Sequence, residues 1–129
     1  MHRTELAPDQ LYSAGSAPTP GLLLGDLLFT SGIVGLDAEG NLVGPGDAAA
    51  QTDQILTNLV HLLDEAGMRL TDVVRTTVYL ADLGDHAAMD RVFRARFGSR
   101  LPCRTTVGVQ LARPQYLVEI EAIAVRTSS

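Results

Sequence analysis

Residues 117–125 alternate without a break, and that alternation constrains the fold more than any other stretch of the chain. Successive side chains of an extended strand point to opposite faces, so Val118, Ile120, Ala122 and Ala124 share one face and Leu117, Glu119, Glu121, Ile123 and Val125 the other. The first face is wholly apolar and must be covered. The second is too polar for a core, yet it carries apolar surface of the kind that marks an interface. A sheet buried on one side and half-wet on the other meets both demands.

Two helical patterns supply the cover. Asp47 stands as N-cap to a helix that runs to about Ala66, with Gly67 as its stop and an inner stripe of Ile55, Leu56, Leu59, Leu62, Leu63 and Ala66. Asp85 opens a second helix, whose stripe is Met89, Val92, Phe93 and Phe97 and which Gly98 ends. Further strands are predicted at residues 22–24 and 27–34 around a Gly25-Asp26 turn, at 73–80 and at 103–110. The order ββαβαββ reads as an α+β fold, a mixed sheet with two helices on one face, in one domain over residues 1–129.

Parity extends the sorting to the other strands. Val74, Val78 and Leu80 fall on the covered face, and Val73, Arg75, Thr77 and Tyr79 on the open one. Along 103–110, Arg104, Thr106, Gly108 and Gln110 are assigned to the open face, which leaves Cys103 facing the helices as a buried thiol. Tyr79, Ile123 and Val125 then lie side by side in water, so oligomerisation through the sheet face is expected.

Composition removes several functions. The net charge is -5 and all 10 basic residues are arginine, so there is no lysine for a Schiff base and no basic cluster for a phosphate backbone. Nucleic acid is excluded as a main partner on that ground. His2, His61 and His86 are dispersed and stand in no metal-ligand motif, so no metal is expected. The lone Cys103 cannot form an internal disulfide, the first residues lack an apolar signal core, and the run 22–29 is short and broken by Asp26. These features point to a cytoplasmic protein without membrane contact.

Two residue types remain for chemistry. A guanidinium at Arg104 needs an anionic partner, and its planar fork matches a carboxylate bidentately. Glu119 and Glu121, two apart on one strand, have Cα atoms about 6.6 Å apart and can shift each other's pKa so that one works as acid or base. An ion-pair network that only joins subunits uses the same residues equally well.

The segments Leu101-Pro102-Cys103-Arg104-Thr105-Thr106-Val107 and Val118-Glu119-Ile120-Glu121-Ala122-Ile123-Ala124-Val125 resemble the signature of the reactive intermediate deaminase (RidA, YjgF/YER057c/UK114) family. Leu28-Phe29-Thr30-Ser31-Gly32, the helix from Gln51 to Gly67, and Arg75-Thr76-Thr77-Val78-Tyr79-Leu80 are similar to its other conserved pieces. The resemblance implies a homotrimer of chorismate-mutase-like α+β subunits with ligand clefts between them. It further implies a hydrolase that turns a small 2-imino or 2-aminoacrylate-type acid into a keto acid and ammonia, with no organic cofactor. Arg104 matches the family's carboxylate clamp, Glu119 its water-activating glutamate, and Ser31 and Gly32 its ligand-orienting pair, with Thr106 beside them in the substrate-binding set.

Three positions depart from the best-known deaminases. Pro18 stands where a pocket tyrosine is usual, Thr106 where a cysteine is, and Asp90 where an asparagine is. A specialised biosynthetic relative, or a non-catalytic protein that binds a small carboxylate, therefore stays open beside the deaminase. Ribonuclease activity, proposed for some relatives, ranks third, because the chain is acidic, lysine-free and without a usable histidine pair.

Overall fold

The computed structural model describes residues 2–13 and 18–127; Met1, the first residue of the amino terminus read above as lacking a signal core, lies outside them. Six strands form one mixed sheet: β1 (Arg3–Leu6), β2 (Gly21–Leu24), β3 (Leu27–Thr30), β4 (Val73–Leu80), β5 (Cys103–Gly108) and β6 (Val118–Val125), in spatial order β1-β2-β3-β6-β4-β5. Helices α1 (Ala48–Glu65) and α2 (His86–Phe97) complete an α+β fold. β4 and β5 are the parallel pair, and α2 lies in the connection between them, as a parallel pairing needs a long crossover.

The local signals explain the boundaries. Asp47 accepts from the Ala50 N–H at 3.0 Å and so caps α1, while Gly67, at φ 72°, takes the left-handed turn that ends it. Gly98, at φ 69°, does the same after α2. Leu24 and Leu27 pair across the Gly25-Asp26 turn, as the hairpin reading requires. The first strand was not expected. Arg3–Leu6 carries too little apolar alternation to announce itself and is held by antiparallel pairing to β2.

Val118, Ile120, Ala122 and Ala124 are buried in one core cluster with Ile55, Leu59 and Leu62 of α1 and Met89, Phe93 and Phe97 of α2. Burial of this stripe against the sheet is the dominant stabilising term, at about 25 cal/mol for each Å² of apolar surface removed from water. No helix among the described residues is long and apolar enough to cross a membrane.

Two parity assignments are corrected. Register shifts between Val73 and Arg75, so a bulge turns Val73 into the core and leaves Val74 exposed, the reverse of the expected order. On β5 the phase is inverted: Arg104 pairs with Thr76 and Thr106 with Val78, which are buried, whereas Cys103 pairs with Arg75. Cys103 is accordingly exposed, and Arg104 points toward α2. The polarity pattern misled because β5 is an edge strand, and α2 supplies a carboxylate that lets its inner face hold an arginine.

Candidate functional site

Strand β3 stops at Thr30, short of the expected Val34, and the break builds the site. Thr30 takes the Ala122 N–H on its own Oγ1 at 3.0 Å, Ser31 and Gly32 leave the ladder, and Ile33 rejoins β6 through reciprocal bonds with Ile120 at 2.8 and 3.0 Å. Ser31 is fixed in this excursion by its N–H to the Pro20 carbonyl at 2.9 Å and its Oγ to the Thr19 carbonyl at 2.8 Å. Beside it, Glu119 projects from the open face of β6. A Cβ at position 32 would lie 2.7 Å from Glu119 Cδ, so the carboxylate occupies space that only glycine leaves free.

Ser31, Gly32 and Glu119 line a cleft of about 580 Å³, walled by Tyr12, Pro18, Ile33 and Leu36 among others. Among the described residues Glu119 is the one acidic group lining the cleft. Burial raises its pKa above the ordinary carboxylate value, and the charge of Glu121 adds to the rise. Glu121 is itself engaged, accepting from the Tyr79 hydroxyl at 2.6 Å, a bond that raises the Tyr79 pKa first, with desolvation second. The two carboxylates therefore have different environments, one tied to a phenol and one facing the cleft, which is how a pair of like groups divides its roles.

Helix α1 holds the walls with two buried polar residues one heptad apart. Gln51 accepts from the Leu117 N–H at 2.9 Å and donates to the Gly44 and Gln115 carbonyls at 3.1 and 3.3 Å. Asn58 donates to the carbonyls of Val34 and Leu36 at 3.3 and 2.9 Å. Both were absent from the expected helix stripe. Their signal was polar side chains at i and i+7 on the face that carries Ile55, Leu59 and Leu62.

Arg104 stands elsewhere. Its Nη1 is 2.8 Å from Asp90 Oδ1, its guanidinium lies 4.8 Å over the Phe93 ring, and its pocket, lined by Phe93, Arg94, Leu101 and Pro102, shares no residue with the Glu119 cleft. Thr106, two residues on, takes the Arg104 face. Within one chain, then, Ser31, Gly32 and Glu119 come together, and Arg104 and Thr106 lie on the opposite side of the sheet. Of the three departures, Pro18 lines the Glu119 cleft, where Tyr12 supplies the aromatic ring, and Asp90 grips Arg104.

Comparison with known proteins gives a consistent result. Residues 4–126 match the family model described as Endoribonuclease L-PSP. The chain is 36% identical over 105 residues to the 3-aminoacrylate deaminase RutC of Acinetobacter baylyi, covering 81% of this chain and 83% of that protein. It is 32% identical over 124 residues to the 2-iminobutanoate/2-iminopropanoate deaminase of Rattus norvegicus, covering 96% and 90%. The crystal structure of the YjgF gene product of E. coli superposes with a TM-score of 0.88 at 33% identity, over 96% of this chain and 99% of that one.

Proposed function

We propose, since this chain belongs to the reactive intermediate deaminase (YjgF) family, that it hydrolyses a small imine or enamine bearing a carboxylate to a keto acid and ammonia. One observation carries the reading. Glu119 presents a carboxylate of raised pKa to a cleft of about 580 Å³, beside the Ser31-Gly32 edge.

A raised pKa makes Glu119 the stronger base, suited to taking a proton from water as the water oxygen bonds to the imine carbon. The C=N electron pair moves to nitrogen, which takes up the proton that Glu119 received from water, giving a carbinolamine. Glu119 then takes the carbinolamine hydroxyl proton as the carbonyl reforms and the C–N bond breaks, and passes it to the departing nitrogen, which leaves as ammonia. Ser31 and Gly32 border the space where the substrate plane would lie.

The carboxylate clamp of this reading is Arg104, aided by Thr106. Because their side of the sheet is not the side of Glu119, a complete site requires a second copy of the chain, whose β5 edge meets the Glu119 cleft of the first. A homotrimer with three such clefts fits this need. It also fits the open face, where Phe29, paired with Ile123, is 37% exposed and Val107 is 37% exposed.

The test is release of keto acid from an enzymatically generated imino acid. Saturable hydrolysis that is lost in Arg104→Ala and in Glu119→Gln supports the deaminase. Tight binding of 2-oxobutanoate without any rate enhancement overturns it in favour of a carboxylate-binding protein.

A further inference from the structure

The Arg104 guanidinium already has a carboxylate. Asp90 Oδ1 lies 2.8 Å from Arg104 Nη1, and the same carboxylate takes Arg94 Nε at 2.9 Å on Oδ2 and 3.1 Å on Oδ1. The side chains of Arg104 and Asp90 are only 18% and 25% exposed, so solvent screens this contact less than an ordinary surface pair. Met89 Sδ accepts from the same Nη1 at 3.9 Å, and Phe93 closes one face of the guanidinium. Nε and Nη2 of Arg104 have no partner among the described residues. Two guanidinium groups facing one carboxylate leave a net charge of about +1 around a pocket of about 170 Å³.

We infer that Asp90 sets the affinity of this site for carboxylate ligands: it holds Nη1 and cancels one positive charge, so that a ligand must bind the remaining Nε–Nη2 edge and share Arg104 with an internal competitor. The inference rests on Arg104 being the carboxylate clamp proposed above. It adds a device that the clamp alone does not contain. An unmodulated arginine pair would hold any small anion, including the keto-acid product. With Asp90 in place the site binds a monocarboxylate weakly and lets it go. Arg104 and Arg94 also hold Asp90 ionised, with its pKa lowered first by the Arg104 bond, so the competitor stays charged through the neutral range.

Calorimetric titration with 2-oxobutanoate tests this on the full chain, comparing wild type with Asp90→Asn and Asp90→Ser. Both variants should bind about tenfold tighter, the effect of removing one negative charge at this range in a partly screened site. Asp90→Ser is included because the two substitutions perturb α2 differently, so a gain common to both reports the charge. The gain should vanish when Arg104→Ala is added to either variant. Equal or weaker binding in both variants, or a gain that survives without Arg104, overturns the inference. Imino-acid hydrolysis, assayed in parallel, separates the two proposals. A chain without hydrolysis whose Asp90 variants gain Arg104-dependent affinity refutes the deaminase and keeps the competitor. Efficient hydrolysis with no gain in affinity does the opposite.

Discussion

Glu119 lays its carboxylate against the backbone of Gly32, in the volume a side chain at position 32 would fill. The contact fixes where the carboxylate points, and it depends on a missing Cβ rather than on a hydrogen bond. Gly32→Ala should swing the carboxylate out of the cleft and lower turnover by about 10²-fold, the scale of a roughly 1 Å misplacement at a reacting centre. Thermal stability should change little, since the displaced atoms are the end of a flexible side chain. A variant with wild-type kcat would show that Glu119 is not the group that acts on water.

Helix α1 should prove as important to the cleft as the strands. Asn58 is buried and its amide joins the carbonyls of Val34 and Leu36, the segment that follows Gly32. Asn58→Ala leaves those carbonyls without their donor and should cost about 1–3 kcal/mol, the penalty for an unsatisfied buried polar group. Urea denaturation measures it. A loss under about 0.5 kcal/mol would mean that water replaces the amide freely.

The open and covered faces of the sheet were legible because β6 alternates strictly and lies between two other strands. Glu119 took its face from the same alternation, whereas Ser31 and Gly32 came from the family resemblance alone, since they lie past the end of β3 at Thr30, where the strand was expected to continue. Arg104 was placed on the wrong side. Its edge strand has no wholly apolar face to fix the phase, and the carboxylate that makes an inward arginine tolerable comes from α2, across a crossover that no local pattern encodes. The bulge at Val74 escaped for a related reason: Val73 and Val74 are equally apolar, and only pairing with β6 decides which one enters the core.

The proposed division of the site between copies makes a prediction about mixtures. Arg104→Ala and Glu119→Gln should each be nearly inactive alone. Co-refolded together they should regain activity, because some clefts then combine an intact Arg104 edge with an intact Glu119 cleft. Ile123→Glu, which places a charge on the apolar open face beside Phe29, should lower the mass seen by light scattering and abolish the recovery. Failure of the mixture to recover, with the oligomer intact, would place both residues in one subunit's site or neither in any.

The raised pKa of Glu119 ties stability to activity with opposite signs. Its folded value lies above the ordinary one because burial, and then the charge of Glu121, disfavour the ionised form. The folded chain therefore binds this proton more tightly than the unfolded chain does. The stabilisation is fully present below the unfolded pKa of 4.5 and is lost as pH rises through the folded value. Above that window the ionised carboxylate is a burden to the fold, and Glu119→Gln, which carries no charge, should melt at a higher temperature than wild type at pH 7 to 8. The difference should shrink toward zero as pH falls below the unfolded value, where both side chains are neutral. Turnover should move the other way, falling about 10²- to 10⁴-fold in Glu119→Gln, the usual loss of a general base. A residue serving only to join subunits predicts the reverse for stability, since its loss would loosen the assembly. Melting curves from pH 4 to 8, run beside the imino-acid assay, decide between them: a Glu119→Gln variant that melts lower at neutral pH and keeps its turnover makes the carboxylate structural.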